Sequence, residues 1–434
     1  MRDTAFFLLF VAAMPFVFLM PHLGVLVWTW FSVANLHREL WGFATLIQFN
    51  SIIAAITLLA YIVSPERKII PMTMHTALLA LLGIWMVLST AFAITPDYSQ
   101  ELLSRNIKTL ILLVFAMLLI NSRTRIHALV AVLCVALGYW GTKGGLFAVG
   151  SAGQYRIYGP DHSPIYDNNH LALALVMVIP LFFYLRMHTE NIWVRRAILL
   201  VTFLSFAAVI ASYSRGAYLA LGALLFALWW RSPRKILPTA LAGILAVASV
   251  FVIPQTVWER FNTVSSVDRA LEDASFQERL EVWAASIAIA RDRPLFGAGF
   301  SATEVPSVYI QYSPGTTEDK GRAVHSIYFQ VLADLGFAGF IIYFLLILYG
   351  FIYTFGIINQ TRDRPEDRWA YDLARMLQIS MFVFLVGGAG LSMAYYDAFL
   401  LIVLLTGNTY RVVKRERVAP EIQKHQRVAM PQGA

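Results

Sequence analysis

The sequence predicts an all-α, polytopic membrane protein with about 12 transmembrane helices and a large, partly helical loop on one face. Three observations carry that expectation. Of the 434 residues, 58% are hydrophobic and 14% are charged, and the mean hydropathy is +0.63. A soluble domain carries about a quarter charged residues. The apolar residues gather into runs close to the roughly 20 needed to cross a bilayer. The basic residues occupy short loops between those runs. The net charge of +8 therefore reads as membrane topology and not as a phosphate-tracking groove, so nucleic acid is not an expected partner. The one cysteine, Cys134, lies inside an apolar run, so no internal disulfide framework is possible.

Taken in order, the first apolar run covers residues 5–36 and is interrupted by Pro21 and His22. It is one kinked span or a hairpin of two short ones, and it is read as an uncleaved span because more membrane segments follow directly. Further spans are expected at 40–63, 75–93, 107–120, 127–149, 171–185, 197–211, 217–230, 236–253, 335–358, 376–391 and around 398–405. This divides the chain into a transmembrane bundle (1–254), a large loop (255–324), C-terminal spans (325–411) and a basic tail (412–434). The basic loops "SPERK", "NSRTR", "RMHTENIWVRR", "RSPRK", "NQTRDRPEDR" and the tail "RVVKRER" fall on one face, which the positive-inside rule places in the cytoplasm. The opposite, outer face then carries 95–106, 151–169, 213–215, 255–324 and 393–397. A loop of about 70 residues is too long for a turn, and loops of that length are usually functional or carry structure of their own. In "QERLEVWAASIAIA" the apolar residues Leu280, Trp283, Ile287 and Ala290 recur at helical spacing. An amphipathic helix over residues 277–290 is the expectation, ended by Pro294, Gly297 and Gly299.

Chemistry-bearing residues concentrate on that outer face. Arg215 stands at the mouth of a span, where an arginine either snorkels to head groups or serves as a fixed cation for a phosphate. Arg279 is either a solvated charge on the loop helix or a second clamp, a role for which Arg291 and Arg293 compete. His325 starts an apolar helix as a titratable imidazole at the membrane lip. The segment "YRIYGPDHSPIYDNNHLALAL" gathers Asp161, His162, Asp167, Asn168, Asn169 and His170. Capping of the next helix by Asp167 or Asn168 is favoured there over metal binding. The amides can also bind sugar hydroxyls. Lys143, among the glycines of "GYWGTKGGLF", faces a cavity or snorkels outward and ranks as a secondary phosphate ligand. There is no Walker loop, Rossmann fingerprint, nucleophile elbow or Cys/His metal spacing. No metal and no cofactor are expected.

The ordered set "SRGAYLA" (214–220), "RLEVW" (279–283), "DRPLFGAGF" (292–300) and "HSIYFQVLADLGFAGF" (325–340) resembles the O-antigen ligase/polymerase superfamily. "NLHRELWGF" (35–43) and "GPDHSPIYDNNHLALALVMVIPL" (159–181) are similar to its branch of exosortase-associated O-glycosylation ligases. The chain departs from many O-antigen ligases at Ser326, where asparagine is frequent, and in "ADLG", where "AELG" is common. The resemblance implies a GT-C-like fold in the bacterial inner membrane, with the site facing the periplasm. It implies an undecaprenyl diphosphate-linked glycan as donor and the lipid A-core oligosaccharide as acceptor, with inversion and no metal. A second glycan (polymerase) or a protein hydroxyl (O-glycosylation ligase) are the alternative acceptors, and a flippase is the alternative outside enzymes. Under that reading Arg215 and Arg279 hold the diphosphate and His325 is the base. Diphosphate is a competent leaving group once its charge is held, which explains the lack of a glycosidase carboxylate pair.

Overall fold

The computed structural model describes residues 2–66, 68–232, 274–313 and 320–429, with scattered positions between 235 and 247. The expected span 236–253 and the loop residues 255–273 and 314–319 lie largely or wholly outside the described residues. Every regular element among the described residues is helical. The α-helices are α1 (Arg2–Leu19), α2 (Pro21–Ala34), α3 (Phe49–Val63), α4 (Met74–Ala91), α5 (Pro96–Leu119), α6 (Arg123–Gly150), α7 (Asn168–Met187), α8 (Ile192–Ile210) and α9 (Arg215–Arg231). After the undescribed stretch come α10 (Ala274–Asp292), α11 (Pro306–Tyr312), α12 (Ile327–Thr361), α13 (Arg368–Gly388) and α14 (Asp397–Ala429). Eight helical segments among the described residues are long and apolar enough to cross a membrane, and Phe49–Val63 is a shorter apolar helix. The chain is thus a multi-pass membrane protein. The expected figure of 12 also drew on shorter helices such as α2, α3 and α9, and on residues outside the description.

The N-terminal run is a hairpin. The Phe6 and Phe10 rings of α1 each lie 5.6 Å from the Phe31 ring of α2. A single kinked helix would separate residues 6 and 31 by nearly 40 Å at 1.5 Å rise per residue. Met20 leaves helical geometry, and Pro21 opens α2, where its missing N–H costs nothing. The expected span 40–63 starts only at Phe49, after two 3₁₀ turns, Leu36–Glu39 and Phe43–Leu46. The expected outer loop 95–106 is instead helical from Pro96, so α5 extends above the apolar run. Pro at the first position and Asp97 in the first turn make a favourable start, and no breaker follows.

The centre of the bundle is α7, whose residues 171–182 are all buried. A helix apolar on every side belongs in the middle of a packed bundle. It packs against α6, α8, α9 and α13, while α13 also meets α12 and α14. Helix α10 runs wider than the expected 277–290. Its most buried residues are Val282, Ala285, Ser286, Ile289 and Ala290, so of the expected Leu280, Trp283, Ile287 and Ala290 stripe only Ala290 is fully buried and the inner face is rotated from it. It lies on protein, packing against α11 and α12.

Helix α12 is broken. Gly336 has φ 67° and ψ −175°, outside any helix. The carbonyls freed there are taken up by the "FGAGF" loop: Ala298 N–H donates to Ala333 O (2.8 Å) and Gly299 N–H to Asp334 O (3.2 Å). The freed Phe337 N–H donates to Pro294 O (2.8 Å). Trp85 Nε1 bridges the Leu295 and Leu335 carbonyls at 3.1 and 3.2 Å, and Ser89 donates to Asp334 O (2.7 Å). A helix break inside a membrane bundle persists only where protein satisfies the backbone. The two glycines of this stretch, Gly336 and Gly339, serve different ends. A Cβ on Gly339 would come within 2.8 Å of Trp85 Cδ1, a close approach of α4. Gly336 is instead the hinge of a docked loop.

Candidate active site

The site is built on the turn that follows α13, "GGAGLS" (387–392). Three elements converge there. The start of α9 abuts it: a Cβ on Gly216 would lie 3.8 Å from Gly387 O. Ser214 caps α9, its side chain accepting from Ala217 N–H (3.1 Å), which sets Arg215 as the first helical residue. Asn168 ties the preceding turn to α7 by donating to Ser212 O (2.7 Å). On the second element, Arg279 of α10 approaches Gly390, where a Cβ would lie 3.5 Å from its Nη1. Trp283, one turn on, fixes α10 to the third element by donating to Val324 O (2.9 Å) and stacking on Phe329 at 4.9 Å. Arg322 pairs with Glu278 at 2.8 Å. The third element carries His325, whose backbone N–H donates to Ser392 Oγ (2.8 Å).

His325 has φ 51°. A non-glycine residue held in that region is strained by about 1–3 kcal/mol and persists only when its surroundings hold it there. Desolvation beside the cavity, and after it the Arg279 guanidinium, lower its pKa below the usual 6.5; Asp167 and Glu278 oppose the shift. The imidazole is therefore held neutral around pH 7, the form that accepts a proton.

Beside His325 opens a cavity of about 380 Å³. Arg105 and Asn106 of α5, His170 of α7, Glu304, Asp334 of α12 and Tyr396 contribute to its wall. Asp334 sits at the α12 break, accepting from Ser301 N–H (2.8 Å) and from the Tyr395 hydroxyl (3.1 Å). The broken helix thus shapes the cavity wall.

The structure brings the start of α9 that carries Arg215, the Arg279 guanidinium and the His325 backbone to one turn. Asp167 caps α7, accepting from Asn169 N–H (2.9 Å) and Asn169 Nδ2 (2.7 Å), as the sequence favoured, and its charge still reaches His325. Asn168 and Asn169 are spent on these local bonds. Lys143 pairs with Glu39 and lies 4.8 Å from the Trp140 ring, away from the cavity wall. Of the competing arginines, Arg293 is bound to backbone, its Nε donating to Gly297 O (2.8 Å) and its Nη2 to Phe92 O. Arg291 is exposed and does not line the cavity. Among the described residues, no group of three His, Cys, Asp or Glu side chains is placed to hold a metal ion.

Sequence reasoning passed over Asp334, Arg105, Asn106 and Tyr396. Asp334 had a usable signal, a carboxylate inside an apolar span. Arg105 and Asn106 were hidden by the reading of 95–106 as a loop. Nothing in the sequence marked Tyr396.

Residues 200–344 match the model of a family described as O-antigen ligase. Residues 1–190 match a family of unknown function (DUF5935). No curated protein matches the chain. The first match spans α9, α10 and the start of α12, and so includes Arg215, Arg279 and His325. It supports an O-antigen ligase family member, and with it a glycosyl-transfer enzyme of the ligase or polymerase type.

Proposed function

For a member of the O-antigen ligase family, we propose transfer of a glycan from undecaprenyl diphosphate to a hydroxyl of the lipid A-core oligosaccharide, on the periplasmic face of the inner membrane. The observation that supports this reading is that the Arg279 guanidinium, the His325 backbone and the start of α9, whose first residue is Arg215, all meet the 387–392 turn, with the Arg279 charge acting on the His325 imidazole. The arginines supply fixed positive charge for a diphosphate, with fork geometry suited to its oxygens. His325 takes the proton of the acceptor hydroxyl. The hydroxyl oxygen bonds to the anomeric carbon while the bond to the diphosphate oxygen breaks and its electron pair leaves with undecaprenyl diphosphate. Attack opposite the leaving group inverts the anomeric centre. Negative charge grows on the leaving diphosphate, where Arg215 and Arg279 stabilise it most.

The test is in vitro transfer from a lipid-linked donor to purified acceptor by the His325→Ala protein, with donor binding measured in parallel. Loss of a positioned base lowers the rate by roughly 100- to 10,000-fold, with donor binding near normal. A variant that binds donor and transfers within a few-fold of wild type removes His325 from the chemistry and directs attention to His170 and Asp167. Transfer to a second lipid-linked glycan in preference to lipid A-core identifies a polymerase.

A further inference from the structure

We infer that Ser392 and Trp283 are positioning residues for His325: they clamp the peptide unit between Val324 and His325 from its two edges and so hold the imidazole in place on the cavity wall. The consequence for the rate rests on the role of base proposed above. The clamp itself rests on geometry independent of that role.

The peptide unit has two polar atoms, and a side chain from a different element holds each. Its carbonyl oxygen, Val324 O, accepts from Trp283 Nε1 of α10 at 2.9 Å. Its N–H, on His325, donates to Ser392 Oγ of the turn after α13 at 2.8 Å. A peptide unit is a rigid plane whose C=O and N–H point opposite ways, so two such bonds fix its orientation. With the plane fixed, the direction of the His325 side chain depends on the rotation φ about its N–Cα bond. That angle is 51°, a region that a non-glycine residue keeps only where its surroundings impose it. Val324 and Ser326 are buried, while His325 between them is exposed and lines the cavity. The flanking backbone is therefore anchored on protein and the imidazole is the part presented.

Both jaws of the clamp are themselves held. Trp283 stacks on Phe329 at 4.9 Å. The segment that carries Ser392 is tied to α12, where Gln330 Oε1 accepts from Ala394 N–H (3.1 Å) and the Tyr343 hydroxyl donates to Ala394 O (2.5 Å). Both jaws also adjoin Arg279. Trp283 follows it by one turn of α10, and a Cβ on Gly390, two residues before Ser392, would lie 3.5 Å from Arg279 Nη1. The clamp thus sets the imidazole relative to the guanidinium whose charge acts on it. Ser392 lines the cavity as well, so its competing role is direct contact with substrate, and the experiment separates the two.

The experiment uses the full-length protein in detergent micelles. Ser392→Ala, Ser392→Thr and Trp283→Phe are made in wild type and in the His325→Ala background. Threonine keeps the hydroxyl, and phenylalanine keeps an aromatic ring while removing the N–H. Transfer kinetics give kcat and KM. NMR of protein carrying carbon-13 at the histidine Cε1 atoms follows the His325 imidazole, identified by the signal missing from His325→Ala. Ser392→Ala and Trp283→Phe should each lower kcat by roughly ten- to hundredfold, as for a reacting group about 1 Å out of place, with KM for donor and acceptor changed by less than about threefold. Ser392→Thr should keep most of the rate. Desolvation and Arg279 hold the imidazole pKa below the usual 6.5, against Asp167 and Glu278, so an imidazole released from its place should titrate at higher pH, closer to that value. In the His325→Ala background Ser392→Ala and Trp283→Phe should cost nothing further, because residues that act through His325 have no effect once it is gone. An unmoved His325 titration in Ser392→Ala overturns the inference. An equal loss of kcat in both backgrounds does so too, and gives the hydroxyl a role of its own. Should Ser392→Ala fail to fold, Trp283→Phe reads the other edge of the same peptide, and an unmoved titration there is equally fatal. Because the titration needs no substrate, normal transfer by His325→Ala counts against the proposed base without touching the clamp.

Discussion

Replacing Gly336 by alanine tests whether the break in α12 shapes the active site. Its φ of 67° with ψ −175° is a region essentially restricted to glycine, at about 1–3 kcal/mol for other residues. The added Cβ would lie 2.7 Å from Pro294 O and 2.8 Å from Leu295 O. Both are backbone atoms, so no flexible side chain can swing aside and the 294–299 loop must move. Three hydrogen bonds hold that loop to α12, from Ala298, Gly299 and Phe337. At about 0.5–1.5 kcal/mol each, their loss adds roughly 1.5–4.5 kcal/mol. Together the terms reach roughly 2.5–7.5 kcal/mol, a large part of a typical stability of about 5–15 kcal/mol. The assay is denaturation by SDS titration in mixed micelles, with transfer measured on the surviving folded protein. Gly222→Ala is the control, since a Cβ at that position meets nothing within 4 Å and alanine is the better helix former by up to about 1 kcal/mol. If Gly336→Ala is destabilised by less than about 1 kcal/mol and transfers normally, the loop does not depend on the break, and the reasoning from loop to cavity is wrong.

Two further predictions concern the chemistry. Arg279→Lys should lower transfer by up to roughly two to three decades while the protein stays folded, because an ammonium cannot reproduce the guanidinium fork; steady-state kinetics at saturating donor and acceptor would show it, and a near-normal rate would pass the role to Arg291. The pH profile should follow the lowered pKa of His325. A base works unprotonated, so the rate should hold as pH falls from 8 to about 6.5, the usual imidazole value, and drop only below it. A fall already complete at pH 7 would show that the titrating group is not this imidazole.

The sequence alone determined the fold class, because apolar runs and basic loops reflect a solvent constraint that acts segment by segment. The same local logic put Arg215, Arg279 and His325 forward as candidates, Arg215 and His325 at the edges of apolar runs and Arg279 on the loop helix. It also found the loop helix, whose apolar spacing is periodic, and the cap at Asp167. What required tertiary structure was everything set by partners distant in sequence. Residues 5–36 are a hairpin because Phe31 returns to pack on Phe6 and Phe10, a contact no hydropathy window registers. The choice among three loop arginines turned on where the backbone folds: Arg293 meets the Phe92 carbonyl some two hundred residues away, while Arg279 meets Gly390. Gly336 reads locally as one more small residue in a span, and its break exists because the 294–299 loop supplies the hydrogen bonds that the helix gives up. The cavity draws its wall from α5, α7, α12 and the segment before α14. No single stretch of sequence encodes it, since a concave surface belongs to the packing of several helices and not to any one of them.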